Sequence, residues 1–136
     1  MYKILIDSGP LIALFDASDS YHQLSVEFIK QNRAMLVTSL ASVTETLHLL
    51  SFNRNAQADF LSWLNAGAVE IETIDNEDLL TIKDMMLKYS DLPMDFADAC
   101  LVYLGDKLNI DSVATIDRDF DVYRLKDKKT FTTFIK

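Results

Sequence analysis

Acidic side chains stand at three places in this sequence where a parallel β-sheet would gather ligands. Asp7 directly follows the strand predicted over residues 3–6, and Asp117 lies two residues after the strand predicted over residues 112–115. Glu45 lies about one turn into the helix that we expect after a strand at 35–37. Because ligands of open α/β sheets bind at the carboxyl ends of the strands, these three side chains are predicted to share one edge.

Asp98 is the fourth acidic candidate. It lies near the start of an apolar helix predicted over residues 95–104, where a charge is not expected at random, but spacing alone does not bring it to the other three. Carboxylates held together repel one another and raise each other's pKa unless a cation is present. Oxygen ligands suit Mg²⁺ or Mn²⁺, so convergence of the four would indicate a site for one of these metals.

Each position also has a purely structural explanation, and these alternatives stay open at this point. Ser42 and Glu45 have the spacing of a helix capping box. Asp95 is placed to cap its own helix, where Asp98 would favour the helix dipole. Asp7 and Asp117 suit turns that follow strands.

Other common catalytic motifs are missing. Three glycines in 136 residues form no phosphate-binding loop, and no Gly-x-Ser-x-Gly segment marks a serine hydrolase. Two histidines and one cysteine make a zinc site improbable on composition. We predict that Cys100 is buried and inert, that His48 lies on a helix face and that His22 lies at a helix start near the rim of the site.

The net charge of −8 is unusual for an enzyme that binds nucleic acid, since phosphates attract Lys and Arg. The imbalance is local, however. Residues 59–98 contain ten acidic and two basic residues, whereas residues 118–136 contain six basic and three acidic ones. We therefore expect the C-terminal segment to be the part that contacts phosphates, and carboxylates that hold divalent cations would be neutralised.

Apolar periodicity predicts strands that alternate with helices, hence an α/β fold with a mainly parallel central sheet of about four to five strands flanked by helices. In the helix over 75–88, Leu79, Leu80, Ile82, Met85 and Met86 are expected to face inward. No linker or repeat divides the chain, so one domain over residues 1–136 is predicted. The apolar runs are too short to cross a bilayer and no signal peptide is recognised, so we expect a cytoplasmic protein without membrane contact. Strands are predicted at 3–6, 35–37, 69–74 (near an edge), 112–115 and within the tail 122–134; the other helices are predicted at 10–15, after 20, at 43–50 and at 56–64.

Four segments of the chain resemble, in order, the acidic motifs of PIN-domain proteins. The first two are residues 4–14 (ILIDSGPLIAL) and 43–47 (VTETL). The other two are residues 95–102 (DFADACLV) and 113–120 (VATIDRDF). Within this family, the chain length resembles that of VapC-like toxin ribonucleases and their stand-alone relatives.

The resemblance implies a PIN-like nuclease domain that hydrolyses RNA phosphodiesters with Mg²⁺ or Mn²⁺. Asp7 and Asp98 would be the main metal anchors, with Glu45 and Asp117 binding a second ion or activating water. Water as the nucleophile implies 5′-phosphate and 3′-hydroxyl ends. The resemblance also places Asp98 at the acidic edge. It further implies an RNA substrate, an antitoxin protein as partner and a homodimer. Ser8 and Thr115 would orient ligands or water by hydrogen bonds, and Asp95 and Asp119 are further candidate members of the site. The candidate phosphate contacts are Arg118, Arg124, Lys126, Lys128 and Lys129.

Two rival functions remain after this comparison. In one, the acidic pocket of a PIN-like module holds a cation or a partner without turnover. In the other, an aspartyl phosphate forms as in some phosphatases, which requires a lysine near the nucleophile. The second rival ranks last, because Lys3 lies at the wrong end of its strand.

Overall fold

The computed structural model describes residues 2–135, so Met1 and Lys136, the two ends of the predicted domain 1–136, lie outside the described residues. Five parallel strands form one sheet in the order β3-β2-β1-β4-β5. The predicted α/β class and the mainly parallel sheet are therefore confirmed, and β3 lies at an edge as expected. The strands are β1 (Lys3–Ile6), β2 (Met35–Ser39), β3 (Val69–Glu72), β4 (Ser112–Thr115) and β5 (Thr132–Ile135).

Six α-helices connect the strands and cover the sheet, and two short 3₁₀ turns complete the described elements. The longest helix has 13 residues, and no helix within residues 2–135 combines the length and apolar character that a membrane crossing needs. The helices are α1 (Ser8–Phe15), α2 (His22–Gln31), α3 (Leu40–Leu49), α4 (Arg54–Asn65), α5 (Leu79–Lys88) and α6 (Phe96–Leu108); the turns are Asn76–Asp78 and Arg118–Asp121.

Helices pack on both faces of the sheet. Because successive residues of a strand point to opposite sides, they enter two separate core clusters. Leu5 belongs to a core cluster with residues of α5, α6 and the C-terminal tail. Its neighbours Ile4 and Ile6 belong to a second cluster with residues of α1, α2 and α4. The central strand β1 is therefore surrounded by apolar side chains, and Asp7, the next residue, lies at the carboxyl edge of the sheet.

Strand boundaries differ from the sequence prediction for reasons of pairing. β2 continues through Thr38 and Ser39, which lie in register with Ile71 and Glu72 of β3. The Thr38 hydroxyl also donates a 2.7 Å hydrogen bond to the Ile6 carbonyl, so the polar side chain extends the strand instead of ending it. Between residues 122 and 135 of the tail, the strand is confined to Thr132–Ile135, and Arg124 and Thr130 form an isolated bridge before it.

The prediction that Leu79 and Leu80 face inward is wrong. Their side chains are 42% and 66% exposed, whereas Ile82 is buried. α5 packs against the core through Ile82, with Met85 and Met86 partly buried beside it. Leu79 lies on an open groove next to β3. Leu80 points away from the core, because two residues of helix place it about 200° round the axis from the buried Ile82.

Candidate metal centre

Asp7 and Asp117 are brought together by the pairing of β1 with β4. Asp7 follows the last residue of β1, and its backbone amide donates a 3.0 Å hydrogen bond to the carbonyl of Ala114. Asp117 lies two residues beyond the end of β4. Because β1 and β4 are parallel neighbours, both carboxylates stand at the carboxyl edge of the sheet.

Asp98 reaches the same edge from α6. Asp95 caps this helix, since its side chain accepts a 2.9 Å hydrogen bond from the Asp98 amide. This cap fixes the start of α6, and the first turn of the helix lies beside the ends of β1 and β4. Asp7, Asp98 and Asp117 each offer a carboxylate oxygen, and these oxygens all lie within 4.8 Å of one another. We call these three residues the acidic centre.

Glu45 lies beside the acidic centre and lines the same cavity. Its Oε1 atom accepts a hydrogen bond from the Ser8 hydroxyl. The alternative in which Glu45 belongs to a capping box with Ser42 is wrong, because Ser39 caps α3 by accepting a 3.2 Å hydrogen bond from the Ser42 amide. Glu45 therefore lines the cavity, and its side chain is held by Ser8, which the family resemblance implies as a supporting residue.

Thr115 ties two members of the acidic centre together. Its buried hydroxyl donates a 3.0 Å hydrogen bond to Asp7 Oδ2 and accepts a 2.9 Å hydrogen bond from the Asp117 amide. A third contact orients Asp7, whose Oδ1 atom accepts a 2.8 Å hydrogen bond from the Ser8 amide at the start of α1. The side chain at the end of β4 therefore sets the position of both strand-end carboxylates.

The structural readings of the acidic residues hold alongside their convergence. Asp7 caps α1, Asp95 caps α6, and Asp117 accepts a 2.9 Å hydrogen bond from the Asp119 amide in the turn that follows. Asp95 also lines the cavity, whereas Asp119 does not lie among its lining residues. A residue that caps a helix beside a strand end is thereby also directed toward the site.

The acidic centre opens into a cavity of about 440 Å³. Its lining combines the carboxylates with the apolar side chains of Ile12, Leu49 and Ile116 and with Tyr21. His22 starts α2 next to Tyr21, and its Nδ1 atom lies 2.6 Å from the Ala13 carbonyl oxygen. A cavity that combines convergent carboxylates with apolar side chains suits a cation together with an organic ligand.

Burial and mutual repulsion raise the pKa of two carboxyls in the acidic centre. Burial is the main cause at Asp7, where the pKa is about 7; hydrogen bonds from Ser8 and Thr115 oppose the increase. At Asp98 the pKa is about 8, because of burial and the nearby charges of Asp7 and Asp95. Such values arise when carboxyls are buried, and proximity to other carboxylates without a neutralising cation adds to the increase.

Tyr123 is a site neighbour that sequence reasoning missed. It is buried in the 3₁₀-to-coil segment after Asp117, and its hydroxyl donates a 2.9 Å hydrogen bond to Asp98 Oδ2. The sequence placed it in a possible strand, and no periodicity relates it to Asp98. The other histidine, His48, is exposed on α3, and Cys100 is buried with its pKa raised by burial to about 11.

Arg118 is the candidate phosphate contact that lies nearest to the acidic centre. It is exposed in the turn that starts just after Asp117, and it lines a second cavity that shares Tyr21 and Ile116 with the first. Arg124 instead spends its guanidinium group on the backbone, donating hydrogen bonds to the carbonyls of residues 121, 122 and 123.

The structure does not bring the other three candidates to the acidic centre. We call Lys126, Lys128 and Lys129 the loop lysines. The Lys126 amide donates to Asp106 near the end of α6, and Lys129 lies 3.6 Å from Asp111, just before β4. Both contacts are at the amino edge of the sheet. Asp98 and Asp106 are eight residues apart on α6, which corresponds to about 12 Å along the helix axis.

Comparisons with known proteins agree with this geometry. Residues 4–126 match the family model described as PIN domain. The chain is 29% identical over 117 residues to Ribonuclease VapC26 of Mycobacterium tuberculosis, covering 85% of this chain and 87% of that relative.

Two solved structures have a similar fold. One is Mycobacterium tuberculosis VapC20, described as a Sarcin-Ricin loop cleaving toxin, with a TM-score of 0.80, 19% identity and coverage of 88% of this chain and 93% of that chain. The other is VapBC2 from Rickettsia felis bound to a DNA fragment from their promoter, with a TM-score of 0.61, 10% identity and coverage of 96% of each chain.

Proposed function

The chain belongs to the PIN-domain family, and from this premise we propose that it is a metal-dependent endoribonuclease that serves as the toxin of a toxin–antitoxin pair. The observation that carries the proposal is the convergence of Asp7, Asp98 and Asp117 from three separate elements. Carboxylates gathered in a largely buried site destabilise the folded protein unless a cation neutralises their charges. The names of the relatives VapC26 and VapC20 support the nuclease assignment.

The donor set of the acidic centre fits Mg²⁺ or Mn²⁺. All three members offer carboxylate oxygens, which these hard cations prefer, and no histidine or cysteine lies among the described residues that line the cavity. The raised pKa values of Asp7 and Asp98 point the same way, because a cation would remove the repulsion that contributes to them.

We assign distinct roles to the acidic residues. Asp7 and Asp98 anchor the cation, since they are the buried pair, and the partly exposed Asp117 and Glu45 take part in activating water or binding a second ion. A bound divalent cation would supply Lewis acidity that lowers the pKa of water and offsets the negative charge on the phosphoryl oxygens. The water oxygen bonds to phosphorus as water gives up a proton, the bond from phosphorus to the 3′ oxygen breaks, and that oxygen takes up a proton, leaving 5′-phosphate and 3′-hydroxyl ends. Ser8 and Thr115 hold Glu45 and Asp7 in place.

The proposed substrate is RNA, and its phosphates need basic contacts on an acidic protein. Arg118 lines a cavity that shares Tyr21 and Ile116 with the cavity of the acidic centre. It is therefore the residue that we place against a phosphate near the cut. The loop lysines stand at the other edge of the sheet, so any phosphates they contact belong to a flanking part of the RNA.

We also propose an antitoxin partner and a homodimer. Similarity to the VapBC2 structure supports the first, and sedimentation of the purified chain with and without a co-expressed antitoxin tests both. The competing function is a PIN-like module that binds a cation or a partner without cutting RNA.

The test incubates wild-type protein and Asp7→Asn with end-labelled tRNA and mRNA fragments in Mn²⁺, Mg²⁺ or EDTA. We expect discrete cuts that require the metal and disappear in Asp7→Asn. Asp84→Asn is the matched control, because it removes an exposed carboxylate on α5 that lies outside the cavity. Metal binding by calorimetry without cutting would favour the binding module, and neither binding nor cutting would refute the proposal. Retained cutting by Asp7→Asn would remove Asp7 from the mechanism.

A further inference from the structure

The side chain of Tyr123 approaches the acidic centre from the protein interior. Its hydroxyl donates a 2.9 Å hydrogen bond to Asp98 Oδ2, and the residue is fully buried. Two aromatic rings hold the phenol from the sides: Tyr89 at a centroid distance of 5.1 Å and 69°, and Phe120 at 5.1 Å and 80°. Close packing of this kind leaves the ring one orientation, so its hydroxyl points at one oxygen of Asp98.

Asp98 depends on this contact more than Asp7 depends on any one of its own. Asp7 accepts hydrogen bonds from both the Ser8 amide and the Thr115 hydroxyl. For Asp98, the phenol of Tyr123 supplies the one hydrogen bond to its carboxylate found within residues 2–135. Rotation of the Asp98 carboxylate is therefore governed by a single donor.

We propose that Tyr123 is a positioning residue of the metal centre, whose hydroxyl holds the Asp98 carboxylate in the rotation at which its oxygen meets those of Asp7 and Asp117. The inference rests on the proposed function. Tyr123 acts only through Asp98, since it does not line the cavity. Burial and the neighbouring Asp98 carboxylate raise the pKa of the Tyr123 phenol above its usual range, so the phenol is protonated at neutral pH and remains a donor to Asp98. Partners of this kind orient metal ligands and tune their affinity.

The chain contains a matched contact away from the cavity. Tyr103, on α6, donates its hydroxyl hydrogen bond to Asp78 Oδ1, and Asp78 completes the capping box of the turn before α5 by accepting a hydrogen bond from the Asp75 amide. Neither residue lines the cavity of the acidic centre. Tyr103→Phe therefore removes the same kind of phenol–carboxylate bond as Tyr123→Phe without touching the centre.

Calorimetric titration with Mn²⁺ alone tests the inference on wild-type protein, Tyr123→Phe and Tyr103→Phe, with thermal unfolding in EDTA recorded for each. Phe keeps the ring contacts and removes only the donor. We expect Mn²⁺ affinity to fall about ten- to a hundredfold in Tyr123→Phe and to stay at the wild-type value in Tyr103→Phe. Wild-type affinity in a folded Tyr123→Phe, or equal losses in both variants, would overturn the positioning role and leave the nuclease proposal standing. Absence of Mn²⁺ binding by the wild-type protein would refute both.

A second measurement needs no variant and covers the case in which Tyr123→Phe does not fold. Wild-type protein with ¹³C at the tyrosine Cζ atoms is titrated with diamagnetic Mg²⁺ and followed by NMR. The Tyr123 signal should shift in step with saturation, because its hydroxyl bonds to a residue that binds the cation, while the Tyr103 signal stays in place. Saturation without a shift at Tyr123 would overturn the inference.

Discussion

Replacing Asp7 with Asn should make the cation-free protein more stable at alkaline pH, although it removes a carboxylate that the proposed nuclease requires. Asp7 is 5% exposed, and burial is the largest cause that raises its pKa from 3.8 to about 7. Above that pH the folded state must hold a charge in a site that disfavours it. Asn has the same shape and carries no charge, and its Oδ1 atom can still accept from the Ser8 amide.

The magnitude follows from the pKa shift. The folded-state pKa lies above the unfolded value, so the contribution of Asp7 to stability is fully present below about pH 4 and is lost as the pH rises through about 7. A change of about three pKa units corresponds to roughly 4 kcal/mol at about 1.4 kcal/mol per unit, once the group is fully ionised. The neighbouring Asp98, whose pKa is raised to about 8, titrates in the same direction.

Urea unfolding in EDTA at acidic and alkaline pH measures the effect. Wild-type protein should lose stability as the pH rises from about 5 to 8.5, whereas Asp7→Asn should lose less and be more stable than wild type by up to about 4 kcal/mol at the upper pH. Saturating Mn²⁺ should reverse the order, because binding to the native carboxylates stabilises the wild-type protein.

Asp78→Asn is the control for this experiment. Asp78 is also buried from solvent, but the hydrogen bonds from Tyr103 and the Asp75 amide hold its pKa below the usual range. Its contribution to stability is present above the unfolded pKa and lost as the pH falls, so the substitution should destabilise the protein at neutral and alkaline pH. The reasoning is refuted if Asp7→Asn is less stable than wild type in EDTA at pH 8.5.

Three further substitutions test other parts of the structure. Thr115→Val removes the donor to Asp7 at nearly constant volume, and Mn²⁺ titration should show affinity reduced about tenfold; an unchanged affinity would contradict the role of this hydroxyl. Gly105→Ala places a Cβ atom 2.8 Å from the backbone oxygen of Ile110, so urea unfolding should show a loss of about 1–3 kcal/mol, and equal stability would mean that the α6 C-terminus yields easily. Arg118→Ala should raise KM for RNA cleavage more than Ala at all three loop lysines does, because Arg118 adjoins the acidic centre; the opposite ranking in steady-state assays would relocate the RNA path.

Local patterns in the sequence were sufficient for the elements and for most of the acidic site. The run before Asp7 and the run before Asp117 are short and apolar, and each ends at a polar residue, so the strands and their ends could be predicted. Asp95 as a helix cap was equally readable. These signals are local because a strand alternates its side chains and a helix leaves its first amides unpaired, whatever the rest of the chain does.

Composition and spacing did not decide which of two readings applied to Glu45. Ser42 and Glu45 have capping-box spacing, yet α3 begins one turn earlier than that pattern assumes, with Ser39 as its cap. The pairing of Thr38 and Ser39 with β3 sets this boundary, and a partner strand more than thirty residues away is invisible to a local pattern. Because pairing with β3 sets the start of α3 at the Ser39 cap, Glu45 does not serve as a capping residue and its side chain lines the cavity.

By itself, the sequence determined the ends of β1 and β4, the Asp95 cap of α6 and the family motifs, because these depend on residues that are neighbours along the chain. The tertiary structure alone decided that β1 lies between β2 and β4, which brings Asp7 to Asp117, and that α6 delivers Asp98 between them. It also placed the Tyr123 hydroxyl on Asp98 and the loop lysines at the far edge. Contacts across such separations follow from how apolar faces pack together, which no local spacing encodes.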